Sequence, residues 1–414
     1  MTNNQQTLSA ITTLIEQMAQ IGKTSDGGVT RLLYTSDWFK AQQEISDLFQ
    51  THQLKTFFDD SGNVYGRAQG KAAAEPVILT GSHIDTVING GSTMAHTAFW
   101  PAACCFLIEE HGQPQKTIDV VSFCEEEGSR FPLNFWGSGS VTGIHTGKDY
   151  SGVLAADGTA FIEAKAQYGF GQGNYLPAER TDIGAFVELH IEQGAILADA
   201  GESLGIVKGI VGQKRFIFTV TGESNHAGTT PMHKRRDAMA IATELIHKLI
   251  ETGRNSDVSF VTTVGQMIVE PNTPNVIPGK VTFTLDVRHP SKEALVTYHS
   301  KINGFVDHLR TADVDIAVNH YSDVAPVAMS EKLAACAYEH AQAKGLKCRY
   351  MYSGAGHDAQ ILGSIVPTCL LFVPSKNGIS HSPHEYTKPE DLQIGVDALK
   401  QVIYELAIHK ERTR

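Results

Sequence analysis

A chain of 414 residues with 42% hydrophobic and 19% charged residues has material for two domains, or for one domain interrupted by another, and is not a disordered polymer. Its formal net charge of −11, with no basic run longer than Lys234-Arg235-Arg236, argues against nucleic acid and for a small-molecule partner. No stretch reaches the roughly 18 apolar residues needed to cross a bilayer, and six cysteines without a CxxC pair read as buried thiols, so a cytoplasmic protein with no membrane partner is expected.

In chain order, the apolar spacing of LSAITTLIEQMAQI and WFKAQQEISDLFQTH predicts two amphipathic helices. EPVILTGSHID then reads as a buried strand that ends in a loop carrying His83 and Asp85. A metal-binding imidazole commonly donates its second N–H to a carboxylate, and H-x-D supplies both groups, although the pair also reads as an ordinary polar turn. KTIDVVSFCEEEGSRF repeats the plan, with Glu125, Glu126 and Glu127 where the strand stops. Three adjacent acids suit a solvated turn, or a division of labour in which one carboxylate binds metal and its neighbour acts as general base.

FVELHIEQG is a third strand, with His190 near its end, and VPTCLLFVPSKNGISHSPHEY is a fourth, followed by His381. Each histidine alone is a weak signal, but four strand ends with imidazole and carboxylate donors imply one sheet whose loops converge on a Zn or Mn site. From residue 211 the texture changes. RFIFTVTGES, a helix at RRDAMAIATELIHKLIETG, strands at VSFVTTVGQMIV and KVTFTLDVRH, and a helix near KEALVTYHSKINGFVDHLR predict a compact α+β unit. The expected organisation is a first domain over 1–210 and 326–414, interrupted by an insertion over 211–325. The insertion carries Arg215 and Arg288 on strands, His226 in SNHAGTTPM and Asn275 in PNTPNVIPG; each arginine suits either a bidentate carboxylate grip or a surface salt bridge.

GSHIDTV, EEEGSRF, ELHIEQG, GESNHAGTTPM, PNVIPG, SGAGHDAQ and GISHSP together resemble the carbamoyl amino acid hydrolase and allantoate amidohydrolase group, within the aminoacylase and carboxypeptidase clan of two-metal hydrolases. The resemblance spans essentially the whole chain. It implies an α/β catalytic domain, a mixed sheet flanked by helices, interrupted by a lid that also forms a homodimer. His83, Glu127, His190 and His381 would bind two divalent ions, Mn or Zn, with Asp85 orienting His83 and Glu126 as general base. His226 would stabilise the developing oxyanion in a partner's site, and Arg215, Asn275 and Arg288 would hold the substrate carboxylate. Phe135-Trp136 before Gly137-Ser138 is closer to the allantoate enzymes, so the expected substrate is allantoate, with an N-carbamoyl-L-amino acid as the rival.

One segment departs from the pattern. Where the group carries a metal-bridging aspartate, eleven residues after the first histidine, this chain has Met94, whose thioether is a poor bridge between hard or borderline cations. The expected occupancy therefore drops to one ion or none if the methionine is genuine, leaving a metal-impaired binding protein as the alternative of another class. Reading Ser92 to Pro101 one base out of frame, with codons allowed for the written residues, spells Tyr-Asp-Gly-Ala-Tyr-Gly-Val-Leu-Ala and returns an aspartate to position 94. A base lost after Gly91, with a compensating change before about Glu109, accounts for it; Pro101 inside an expected helix, a cost of about 3 kcal/mol, points the same way.

Overall fold

In the computed structural model, residues 12–72, 74–91, 107 and 110–409 are described. Met94, and the segment around it that can be read in a second frame, lie outside them. The chain forms two compact units, one of residues 1–208 and 328–414, the other of 209–327. Each has its own apolar core.

The first unit is built on a nine-stranded mixed sheet. Its strands are β1 (Lys55–Phe58), β2 (Val64–Ala68), β3 (Val77–His83), β4 (Ile118–Phe123), β5 (Ile183–Ile191), β6 (Leu204–Ile210), β14 (Val327–Ala328), β15 (Cys348–Ser353) and β16 (Thr368–Val373). They lie in the order β1-β2-β4-β3-β5-β16-β6-β14, with β15 also on β6. β4, β3, β5 and β16 run parallel to one another, while β2 and β6 flank them antiparallel. All residues of β3, β4 and β16 are buried, which is why these strands read as unbroken apolar runs rather than alternating ones. Because the four are parallel and adjacent, their C-terminal ends share one edge, and the loops that leave that edge carry the candidate ligands.

Helices hold this sheet. In α1 (Ser36–Thr51) the N-cap Thr35 accepts from the Trp38 amide at 3.3 Å, and Trp38, Ala41, Ile45 and Phe49 form the buried stripe, spaced at three and four residues, that packs on β1 and β2. A short helix, α2 (Trp136–Val141), follows the acidic loop. α5 (Glu331–Ala343) and α7 (Pro389–Ala407) pack on each other and on β16, with proline at the first turn of α7, and between them lies the one-turn α6 (Asp358–Leu362).

The second unit has the strands β7 (Gly212–Thr221), β8 (Asn225–His226), β9 (Val261–Thr263), β10 (Met267–Glu270), β11 (Val276–Ile277), β12 (Lys280–His289) and β13 (Asp315–Val324). Its antiparallel sheet runs β10-β12-β7-β13, with β9 also on β12, and β8 pairs with β11 separately. The stretch VSFVTTVGQMIV, expected as one strand, is two: β9 pairs with residues 286–288 of β12 and β10 with residues 280–283, the chain breaking around Gly265. Strict alternation on β7 and β12 buries Phe216, Phe218, Val220, Val281, Phe283, Leu285 and Val287 in a core shared with α3 (Ala238–Arg254) and α4 (Lys292–Leu309). Asp237 and Ser291 cap these two helices through their side chains.

Candidate metal centre

His83 is the last residue of β3 and is 1% exposed. Its Nδ1 lies 3.0 Å from Asp85 Oδ1. The same carboxylate accepts the Glu126 amide at 2.9 Å through Oδ1 and the Glu127 amide at 3.2 Å through Oδ2. Asp85 thus fixes the imidazole, leaves Nε2 pointing away from the bond, and sets the position of the acidic loop after β4. Burial works against a charge on His83, but the Asp85 hydrogen bond and the neighbouring carboxylates outweigh it and hold the imidazole well above its ordinary range.

The three glutamates have different surroundings. Glu125 turns back into the loop, where Oε1 accepts the Gly128 amide. Glu126 and Glu127 converge with His83: each offers one ligand atom, and all of these atoms lie within 4.8 Å of one another. Burial, then the like charge of Glu127, pushes Glu126 well above the carboxylate range, and burial moves Glu127 to about 7. Among the described residues the buried Glu127 Oε1 has no hydrogen-bond donor, and it lies 3.5 Å from His381 Nε2.

On β5, His190 Nδ1 is 2.9 Å from the carbonyl of Ile191, the contact of a donor nitrogen, which leaves Nε2 with its lone pair. That Nε2 is 3.5 Å from His83 Nε2. Burial and the charge on His83 lower His190 to about 3, so it stays neutral, the form that binds a metal. His381 is half-exposed, and its Nε2 also meets the Gln193 amide nitrogen at 3.3 Å. The chain His190, His83, Glu127, His381 is therefore continuous, drawn from segments almost 300 residues apart. The donor set, imidazole nitrogens with ionisable carboxylates, fits a divalent ion of the Zn or Mn type.

Several site residues were not singled out from sequence. Glu188, two residues before His190 and so on the same face of β5, accepts from Ser82 Oγ at 3.0 Å and from the Ala359 amide at 2.8 Å. Burial and Asp358 raise it to about 8, while burial raises Asp358 itself to about 7. His357, fully buried, sets its ring 4.5 Å from that of His190. ELHIE and SGAGHDAQ contained these residues, and the period of two in β5 was the available signal for Glu188.

The other candidates belong to the second unit. Arg215 and Asp286 are direct cross-strand partners on the sheet face away from α3 and α4, and Arg215 Nε lies 3.0 Å from Asp286 Oδ2. Arg288 Nε meets the other oxygen at 3.0 Å. The two arginines thus share one carboxylate, an acceptor the sequence reading did not name. His226 pairs with Val276 across the β8–β11 bridge, and the Asn275 carbonyl accepts the Ala227 amide at 2.9 Å, so His226 and Asn275 sit side by side.

Residues 79–405 match the model of peptidase family M20/M25/M40. The chain belongs to this family. The M20 chain is 45% identical to an allantoate amidohydrolase of Bacillus subtilis, with 96% of this chain and 98% of that protein covered. It is 34% identical to an N-carbamoyl-L-amino acid amidohydrolase of Geobacillus stearothermophilus, covering 94% and 96%. A hydantoinase/carbamoylase family amidase from Burkholderia multivorans superposes with a TM-score of 0.90 at 31% identity, covering 98% of each chain. The chain is thus an M20 hydrolase whose fold is an α/β unit with an α+β insertion.

Two expected outcomes follow from this M20 site. Asp85→Asn, which cannot serve the imidazole and two amides as a carboxylate does, should weaken metal binding by about 10–100-fold at unchanged circular dichroism. Competition with a chromogenic chelator measures it, and an unchanged affinity would remove the orienting role. The second concerns pH. Glu127, Asp358 and Glu188 hold their protons up to about 7, 7 and 8, against 4.5 or 3.8 when unfolded, so the folded metal-free chain binds more protons than the unfolded one. Their contribution is full below the unfolded values and is lost as pH rises through 7 to 8. His190 and His357, held neutral, act oppositely but only below 6.5. The melting temperature of chelator-treated protein should therefore fall between about pH 6.5 and 8, and a rise across that window would contradict the assignment.

Proposed function

We propose that this M20 chain is a metal-dependent amidohydrolase that cleaves the carbamoyl amide of allantoate, giving ureidoglycine, carbon dioxide and ammonia. The observation that carries the reading is the continuous donor chain from His190 through His83 and Glu127 to His381, with Glu126 inside it. His83 with His190, and Glu127 with His381, are the pairs we assign to two divalent ions. When bound, such ions polarise a carbonyl and bring the pKa of water towards neutrality. Glu126, ionised once such an ion were bound, would take a proton from the attacking water and deliver it to the leaving nitrogen as the C–N bond breaks. The carbamate released decomposes to carbon dioxide and ammonia. Asp85 keeps His83 in one tautomer and, through two amides, keeps Glu126 and Glu127 in register.

In the second unit we assign Arg215, Asn275 and Arg288 to the substrate carboxylate and His226 to the oxyanion of a partner subunit's site. Support for a homodimer through this unit comes from β13, ten residues long and paired among the described residues only with β7. The free thiols Cys124, Cys336, Cys348 and Cys369 suit the reducing cytoplasm.

The allantoate reading is favoured over an N-carbamoyl-L-amino acid by the higher identity to the allantoate relative. A panel of allantoate and N-carbamoyl-L-amino acids, assayed for ammonia with Mn-loaded protein of measured metal content, tests it. Preference for a carbamoyl amino acid would move the substrate assignment; two bound metals with neither activity would overturn the hydrolase. The third outcome, one metal or none without turnover, belongs to the metal-impaired reading that Met94 raises.

A further inference from the structure

Phe135 stands in a backbone conformation that its side chain disfavours. Its φ of 60° and ψ of 33° are left-handed, where a bulky aromatic residue is strained and glycine is not. The surroundings enforce it: the Phe135 amide donates to the Glu126 carbonyl at 3.0 Å, and its own carbonyl accepts the Gly139 amide at 2.8 Å. Glycine would make the same backbone bonds without strain. The strain is therefore kept for the ring, and a strained residue beside a site directs attention to what its side chain does there.

The ring reaches the segment before α6. A Cβ added to Gly356 would lie 2.7 Å from Phe135 Cζ and 3.0 Å from Gln360 Oε1, so the missing side chain at 356 makes room for an aromatic edge and a primary amide together. Gly356 precedes His357, whose ring touches that of the candidate ligand His190. Phe135 is thus tied at its backbone to the candidate general base and at its ring to the segment before His357, and the residue as a whole is only partly buried. Its neighbour Trp136 does something else: it is 5% exposed, with its indole N–H on Tyr34 Oη at 2.9 Å, and belongs to the core.

We infer that Phe135, with Gln360 across Gly356, forms the specificity wall for the second arm of the substrate. A flat apolar face beside a primary amide suits a planar ureido group, which stacks on one and hydrogen-bonds to the other. The inference rests on the ureido-carboxylate reading above. It separates a substrate with two ureido groups on one carbon from one that carries hydrogen or an alkyl chain there.

Titration calorimetry with Mn-loaded protein tests it, in a Glu126→Gln background so that turnover does not intrude, using allantoate and N-carbamoylglycine. Phe135→Ala and Phe135→Gly should each weaken allantoate binding by about tenfold and N-carbamoylglycine by less than about twofold. Gly356→Ala, which displaces the ring, should shift the same ratio in the same direction. Phe135→Gly also relieves the backbone, so its melting temperature should not fall below that of Phe135→Ala. Equal weakening of both ligands would make Phe135 a scaffold for the Glu126 loop and overturn the inference, as would no change for either. If the parent protein binds neither ligand, the ureido-carboxylate reading itself fails and the inference falls with it; selective loss for N-carbamoylglycine would overturn the inference alone.

Discussion

Glu126→Gln is expected to lower kcat on allantoate by about a thousandfold, within the span that positioned general acid–base groups contribute, while metal content stays as in the parent. Three features single out Glu126 among the three acids. Glu125 is committed to the Gly128 amide, Glu127 faces His381, and among the described residues Glu126 converges on His83 with no imidazole partner on its far side. Glutamine keeps the shape and the backbone clamp by Asp85 but can neither take a proton nor give one. Metal analysis and a stopped ammonia assay on the same preparation separate loss of chemistry from loss of cation. A thousandfold fall accompanied by metal loss would reassign Glu126 as a ligand, and a fall of less than about threefold would remove it from the proton path.

The second large effect is expected at position 94. Met94→Asp should raise bound divalent metal towards two ions per chain and kcat/KM by about a hundredfold or more, the return on regaining several kcal/mol of Lewis-acid stabilisation. The described donors fall into two pairs, His83 with His190 and Glu127 with His381, and a carboxylate able to serve both pairs would bind them into one centre. A thioether offers neither charge nor hard oxygen. Metal stoichiometry by mass spectrometry reads the effect directly, and two ions already bound in the parent would show that the described donors suffice. Reading the gene across codons 92 to 109 bears on the same point: codons that cannot yield aspartate at 94 one base out of frame would end the shifted-frame explanation.

Much of this arrangement could be read from the chain, and the limits have physical causes. Parallel strands buried on both faces must be apolar throughout, so VILTGSH and IDVVSF stood out, and the polar residues that end them were conspicuous. RFIFTVT likewise read as a strand of the α+β unit. Relations between segments were hidden. Nothing local to Asp85 tells that its carboxylate caps two amides some forty residues on, nor does RFIF tell that Arg215 lies opposite Asp286. VSFVTTVGQMIV has the composition of one strand, and only its pairing with two separate stretches of β12 divides it. The strain at Phe135 had no sequence signature at all, because glycine, the residue that would advertise a left-handed backbone, is the one that is absent.

The parallel order β4-β3-β5-β16 has one more consequence. Glu127 and His381, the pair assigned to one ion, stand on either side of the whole insertion, so a cation held by both would act as a removable cross-link closing a loop of about 250 residues. Such a clasp leaves the intervening unit free to vary in length or detail without disturbing the strands it joins. It also makes assembly of the centre and retention of the C-terminal segment a single cooperative event, so a chelator should loosen the far end of the chain before it touches the strands nearest the amino terminus.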